Sequence, residues 1–352
     1  MRIGLIAPPW VCVPPVGYGG TEAVVDNLAR GLAQRGHQVH LFTVGTSTCP
    51  VHRDWLYPQP APVMGTSVEE AAHVLAAYDA YADMDIIHDH TVLGPLVGAR
   101  TGRLHAPVVV TQHGLFDDDN RRIFTEICRY ASVVAISRDQ RRHATGVRIA
   151  AVIHHGIDLD MYRLGPGGES LVFLGRMSPK KGVHLAVRIA HAAGRPLTVI
   201  SKMREPAERA YFDEAVRPLL RADDHVSFEP PHPVISRLLQ HAAALINPIT
   251  WPEPFGLVMA EALACGTPVL AYGRGAAPEI VDNGATGFLC DSEEEMIRAV
   301  ARVPELDRDA CRDAAERRFS LHRMAADHEA LYRRVLLERD AAADPAHATA
   351  LR

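Results

Sequence analysis

Lysine is nearly absent from this chain. It occurs only at positions 180, 181 and 202, and arginine supplies the rest of the 37 basic residues. Against 42 acidic residues the formal net charge is −5, so the chain lacks the basic field that a nucleic-acid partner needs. It also lacks any run of about 18 apolar residues, which leaves no candidate membrane span. The one apolar run near the start, Ile3 to Ala7, ends at Pro8-Pro9. It reads as a first strand, too short for a signal peptide. The six cysteines, at 12, 49, 128, 265, 290 and 311, show no Cys-x-x-Cys spacing. Scattered, reduced, mostly buried thiols of a cytoplasmic protein are expected. A peripheral contact with a membrane surface is left open.

What is present is a repeated alternation of strands and helices. At 352 residues two domains are expected. Ile3 to Ala7 reads as a strand buried on both faces, and a loop follows that ends Gly17-Tyr-Gly-Gly-Thr-Glu22. Residues 23–36 read as a helix with a glycine stop, and His37 to Val44 as the next strand. This βαβ unit predicts a parallel, doubly wound sheet. Residues 45–65 are Pro-rich and irregular. A helix over 68–81 and strands at 85–90, 107–114 and 132–137 continue the pattern. Gly165-Pro-Gly-Gly168 marks a linker, after which the pattern restarts with a strand at 171–175. Further strands are expected at 197–200, 225–230, 244–248 and 268–272, with a helix through 321–337. Residues 341–352 are expected to fray.

The densest chemistry lies in Trp251-Pro-Glu-Pro-Phe-Gly-Leu-Val-Met-Ala-Glu261. Pro252 and Pro254 stiffen the chain around Glu253, and Phe255-Gly256-Leu257 open a helix that carries Glu261 in its second turn. The first N–H groups of such a helix favour an anion, and Glu261 leans back toward that end. A molecule with phosphate in the middle and hydroxyls at both ends fits, which is the description of a nucleotide-sugar. Arg176 and Lys181 stand five apart across a turn, where a planar fork and a point charge can both meet a diphosphate. Lys202 follows a strand in the same half. Gly19-Gly20 permits close approach of backbone to phosphate. His113 leaves a strand at its C-terminal end, the edge where doubly wound sheets bind ligands. His88-x-His90 has no third ligand at matching spacing, so no metal is assigned to it. The Asp-x-Asp pairs at 83/85, 117/119 and 158/160 read as solvated or capping acids, and Arg138 to His143 as a solvated helix face.

The 251–261 segment, followed by Ala264-Cys-Gly-Thr-Pro-Val-Leu270, resembles the signature of the retaining glycosyltransferases of family 4. The resemblance runs through nearly the whole chain in order and is densest from 171 to 290. It implies the α/β GT-B fold, two Rossmann-like doubly wound domains facing a central cleft. The expected bounds are 1–163 for an acceptor-side domain, 169–318 for a nucleotide-sugar domain, and 319–340 for a helix returning to the first. The resemblance assigns catalytic roles to His113, Arg176, Lys181 and Glu253. In the family Gly-Arg-x-x-x-x-Lys-Gly neutralises the leaving diphosphate, and Gly175 to Gly182 matches it with Lys181 rather than Lys180 beside the glycine. It assigns donor binding to Gly19, Gly20, Lys202, Phe255, Gly256, Leu257 and Glu261, although many members have a glycine-rich loop where Lys202 stands. The usual Asn-Gly before the second domain is His155-Gly156 here. The implied reaction moves a sugar from a nucleoside diphosphate sugar, with UDP- or GDP-sugar expected, to an acceptor hydroxyl of a glycan, lipid or natural product. No metal and no cofactor are expected. Three rivals are a sugar-nucleotide epimerase of the same fold, a pyridoxal-phosphate phosphorylase, and a binder without catalysis. Product without acceptor, a yellow colour, or affinity without diphosphate release would distinguish them in turn.

Overall fold

The computed structural model describes residues 1–17 and 19–343. Tyr18, in the Gly17–Glu22 loop, and most of the tail expected to fray lie outside the described residues. The chain divides into two units. The first holds Met1–Pro15, Gly19–Gly156 and the chain from Leu321 on; the second holds Ile157–Ser320 with Val16 and Gly17.

The first unit runs β1 (Arg2–Ile6), α1 (Gly20–Gln34), β2 (Gln38–Thr43), β3 (His52–Trp55), α2 (Ser67–Ala80), β4 (Ile86–Asp89), α3 (Gly94–Arg100), β5 (Val108–Thr111), α4 (Asp118–Ile127), β6 (Ala131–Ala135), α5 (Arg138–His143) and β7 (Ile149–Val152). Its sheet is parallel in the order β3-β2-β1-β4-β5-β6-β7. The inner strands β4 and β5 are buried at every residue; β5 is an apolar run as helices on both faces require, whereas β4 ends in the buried polar pair His88-Asp89. The strand β3 goes beyond the expected elements. His-Arg-Asp-Trp sits at the sheet edge, half exposed, and so carries neither an apolar run nor a clean alternation. The helices α3 and α4 are likewise additions to the expected pattern.

The second unit runs β8 (Leu171–Arg176), α6 (Val183–Ala192), β9 (Leu197–Lys202), α7 (Pro206–Tyr211), β10 (His225–Phe228), α8 (His232–Gln240), β11 (Ala244–Asn247), α9 (Leu257–Ala264), β12 (Val269–Tyr272), α10 (Ala277–Ile280), β13 (Gly287–Cys290), α11 (Glu293–Arg302) and α12 (Arg308–Phe319). Its sheet is parallel in the order β10-β9-β8-β11-β12-β13. In both sheets the order reverses beside the first strand, as in dinucleotide-binding folds. The last helix, α13 (Leu321–Ala343), belongs to the first unit and lies on α1. There a Cβ on Gly31 would stand 2.8 Å from that of Ala325, so the two backbones are in close approach.

The glycine-rich segment 165–168 lies inside the second unit, whose boundary falls between Gly156 and Ile157. Arg308 fastens it. Its guanidinium donates to the carbonyls of Gly165, Gln240, Ala242 and Cys265 and to Thr267 Oγ1, at 3.0–3.1 Å. Removing it strands several acceptors at once. Arg308→Ala is therefore expected to lower the stability of the second unit by about 2–4 kcal/mol. Denaturant unfolding followed by fluorescence checks this, and a change within about 0.5 kcal/mol would refute it. No helix of the described residues is long and apolar enough to cross a membrane.

Candidate active site

In the second unit β8 and β11 are hydrogen-bonded neighbours although β9 and β10 intervene in the chain. Their exit loops consequently leave the sheet side by side. The loop after β8 carries Lys181 and the loop after β11 carries Glu253, and Lys181 Nζ donates to Glu253 Oε2 at 2.6 Å. Both side chains are mostly covered, at 19% and 16% exposure. Thr250 N donates to the Lys180 carbonyl at 3.0 Å and ties the loops a second time. The ammonium groups of Lys180 and Lys181 stand 5.9 and 5.6 Å from the centre of the Trp251 ring, within cation–π range. Glu253 is supported from behind, where Ala276 N donates to its carbonyl at 2.9 Å.

Gly182 makes this juxtaposition sterically feasible. Its φ is +76°, and an added Cβ would fall 2.3 Å from the Pro248 carbonyl oxygen. That oxygen is backbone and moves only with the Glu253 loop. Gly182→Ala costs about 1–2 kcal/mol for the left-handed conformation alone, before the clash is relieved. A lowered unfolding midpoint and reduced transfer activity are expected. Near-native values of both in a melting curve and a turnover assay would contradict this geometry.

The loop from β11 ends at Gly256, which precedes α9 with φ +89° and ψ 68° and offers no side-chain cap. The first N–H groups of α9 thus remain available to an anion. Phe255 is buried against Phe319 and anchors the turn, while Leu257 is the first helical residue. Glu261, in the second turn, does not share the surroundings of Glu253. Its carboxylate accepts from the Tyr162 hydroxyl, and burial pushes its pKa up to about 7 against the opposing pull of that hydrogen bond.

Arg176 and Lys202 are register partners at the ends of β8 and β9. Lys202 is buried and donates to Glu208 Oε1 at 3.0 Å, and Arg176 Nε lies 3.7 Å from the same oxygen. Burial alone would raise the Glu208 carboxyl. The backbone N–H groups of Glu205 and Arg204 and the Lys202 ammonium outweigh it and hold the pKa below the usual range. Without a ligand, then, the two cations expected to meet one diphosphate have different carboxylate partners, Glu208 for Arg176 and Glu253 for Lys181.

In the first unit Gly19 precedes α1 and Gly20 opens it, with Ala23 N donating to the Gly19 carbonyl at 3.0 Å. A Cβ on Gly19 would stand 2.7 Å from Pro15 Cβ. Glu22, in the first turn, is buried, and burial pushes its carboxyl up to about 7.

His113 leaves β5 into a cluster of imidazoles. His90 Nδ1 lies 2.9 Å from His113 Nε2, and the His155 ring stacks on His113 at 5.1 Å. His88 uses both nitrogens, with Tyr332 Oη at 2.6 Å and Thr111 Oγ1 at 2.8 Å, and His328 lies against it at 4.9 Å. Burial lowers His113 to about 4 and His328 to about 3, and holds His88, His90 and His155 well below the usual range. His113 is thus a neutral imidazole that can orient a hydroxyl without adding charge. Within His88-x-His90, both His88 nitrogens and His90 Nδ1 are engaged by protein groups.

Tyr162, Glu208, His155 and His328 lie outside the set of expected site residues. They reach their places through tertiary contacts, and nothing in spacing points to them. The Asp-x-Asp acids do cap and pair. Asp117 accepts from Asn120 N at the start of α4, Asp83 and Asp85 pair with Arg2, and Asp158 accepts from Asp160 N and Met161 N.

Comparison with known proteins places this arrangement. Residues 18–161 match the model of Glycosyltransferase Family 4, and residues 162–318 match that of Glycosyl transferases group 1. D-inositol 3-phosphate glycosyltransferase of Mycobacterium leprae (strain Br4923) is 29% identical over 336 residues, spanning 78% of this chain and 77% of that protein. The crystal structure of AviGT4, a glycosyltransferase involved in avilamycin A biosynthesis, superposes with a TM-score of 0.74 at 27% identity, covering 96% of this chain and 98% of that one. Anabaena Alr3699/HepE in complex with UDP and glucose shares the fold at a TM-score of 0.75 and 21% identity, covering 94% and 98%. With two parallel-sheet domains and family matches that together run from residue 18 to 318, the chain belongs to glycosyltransferase family 4 and is a glycosyltransferase of the GT-B fold.

Proposed function

We propose that this glycosyltransferase takes its sugar from a nucleoside diphosphate sugar, a UDP- or GDP-sugar, and delivers it to an acceptor hydroxyl with retention at the anomeric carbon. The observation that carries the reading is the Lys181–Glu253 pair across β8 and β11, set beside the uncapped start of α9. Departure of the diphosphate is the costly event, because negative charge grows on its bridging oxygen. Lys181 and the α9 N–H groups are preorganised for that charge, with Arg176 close to the same strand ends. These cationic and dipolar groups supply what a divalent metal supplies elsewhere, so the reaction is proposed to run without metal or cofactor. Glu253 is oriented by Lys181 and accepts from sugar hydroxyls. Glu261, held by Tyr162, faces the ribose, as the resemblance implies. Gly19-Gly20 and His113, in the first unit, keep the donor-loop and sugar-orienting roles that the family pattern assigns. No carboxylate is placed as an evident covalent nucleophile, and a front-face departure in which the leaving phosphate takes the acceptor proton accounts for retention.

The relatives lend support on the donor, since HepE was crystallised with UDP and glucose, and suggest where to begin with the acceptor, since inositol 3-phosphate is named for the mycobacterial enzymes. A thermal-shift panel of UDP-, GDP-, ADP- and dTDP-sugars identifies the donor by the rise in melting temperature. Diphosphate release from that donor should then require an acceptor, persist in EDTA, and give a product with the donor's anomeric configuration by NMR. Epimerised donor without acceptor, or an inverted product, would overturn the reading.

A further inference from the structure

The edge of the first sheet carries a set of side chains that the transfer reaction does not use. β2 and β3 run parallel in a register that places His40 directly beside His52 and Phe42 beside Asp54. With a two-residue repeat, His40, His52 and Asp54 all project from one face of the sheet. One ligand atom from each lies within 4.8 Å of the others, and among the described residues these three form the converging set of metal-ligating groups. His52 Nε2 and Asp54 Oδ1 are 3.2 Å apart. Tetrahedral zinc with bonds of about 2.0–2.1 Å holds neighbouring donors roughly 3.3 Å apart. Small side-chain rotations therefore bring all three onto one ion.

One further feature suits a metal. The hydroxyl of Tyr81, a buried residue following α2, donates to Asp54 Oδ2 at 3.3 Å. This leaves Oδ1 turned toward His52, and outer contacts of this kind commonly orient metal-binding carboxylates. The Gln38 amide lies 3.3 Å from His40 Nε2, and an ion taken by that nitrogen displaces it. The charges acting on His40 are Asp54 and Asp83, opposed by Arg2, which is itself paired to Asp83.

We propose that His40, His52 and Asp54 bind one divalent ion of the zinc class, with water completing the coordination, and that this ion clamps the edge strand β3 to β2. Two imidazoles and one carboxylate are a borderline nitrogen–oxygen set, which favours zinc over calcium or magnesium. The role is structural. His40 and His52 lie toward the N-terminal ends of their strands, whereas His113 follows the C-terminal end of β5. The clamp also protects an edge whose backbone groups are otherwise open to pairing with another chain.

The test is a zinc titration of the full chain by calorimetry, with melting temperature as a second readout. One ion per chain and a melting temperature raised by several degrees are expected. His52→Ala and Asp54→Asn, both conservative of the fold at this edge, should weaken binding at least tenfold and abolish the rise. Tyr81→Phe should weaken it about tenfold through loss of carboxylate orientation. Transfer activity without zinc should stay within about twofold in His52→Ala. Equal zinc affinity in native protein, His52→Ala and Asp54→Asn would overturn the proposal and assign the ion to other histidines. So would a zinc-soaked crystal whose anomalous peak lies away from β2 and β3.

Discussion

Lys181→Met is expected to lower kcat by about 10²–10³-fold while the protein stays folded. Methionine keeps the length and fits beside Trp251, so packing changes little. What is lost is a charge aimed at a developing charge. The diphosphate of a bound donor already carries negative charge, so some ground-state affinity goes as well. The larger share of the loss belongs to the transition state, where the bridging oxygen gains charge as the glycosidic bond lengthens. The effect should fall on kcat more than on donor affinity. Glu253 provides a second signature. Deprived of its 2.6 Å partner, the mostly covered carboxylate loses the group that orients it, and the donor sugar is held less accurately. Lys181→Arg restores the charge but replaces a single donor point by a fork, and should recover only part of the rate. Lys180 is exposed and adjacent, and Lys180→Met should leave kcat within about twofold. Steady-state rates at saturating donor, with calorimetric donor affinities, separate these outcomes. If Lys181→Met kept more than a tenth of the native kcat, the diphosphate-neutralising role would be lost.

The residues legible in the amino-acid sequence are those whose local chemistry repeats a local rule. The basic turn at 176–182 and the Pro-Glu-Pro-Phe-Gly run at 252–256 announce themselves because glycine and proline dictate backbone shape and charge follows at fixed offsets. Apolar runs of four or five residues mark most inner strands. β3 escapes because an edge strand buries little and so needs no apolar pattern. The partners of the site escape for a different reason. Glu208 reaches Arg176 and Lys202 only because β8 and β9 pair side by side, and Tyr162 reaches Glu261 from a distant stretch of the second unit. The imidazole cluster is the clearest case. His88, His90, His113, His155 and His328 come from four separate stretches of chain, the last from α13 after the whole second unit. His155 stands where the family pattern implies asparagine, and that exchange by itself signals no part in the site. In the folded protein its ring stacks on His113.

That cluster predicts how the protein responds to acid. Each of the five histidines has a folded pKa below its ordinary 6.5, reaching about 4 for His113 and about 3 for His328. Groups with depressed folded values bind protons more readily in the unfolded chain. Their stabilising contribution is complete above pH 6.5 and is lost as pH falls from there toward the folded values. For the fully covered His328 the loss is of order 3–5 kcal/mol. The five are close enough to interact, so their contributions do not add. Buried Glu22 and Asp89 in the same unit work the other way. Their folded values are raised to about 7 and about 6, so they gain proton-linked stability as pH drops toward 4.5. With His73, lowered by burial to about 4, added to the five, the histidines outweigh the two carboxyls, and the first unit should weaken steeply between about pH 6.5 and pH 4.5. Urea unfolding at intervals across that range measures the slope. His328→Gln removes one titrating ring at similar volume. It should reduce the stability of the first unit at pH 7.5 and also make its dependence on pH shallower. A slope unchanged in that variant, or a flat profile in the native protein, would mean that these imidazoles are already protonated or hydrated in the fold.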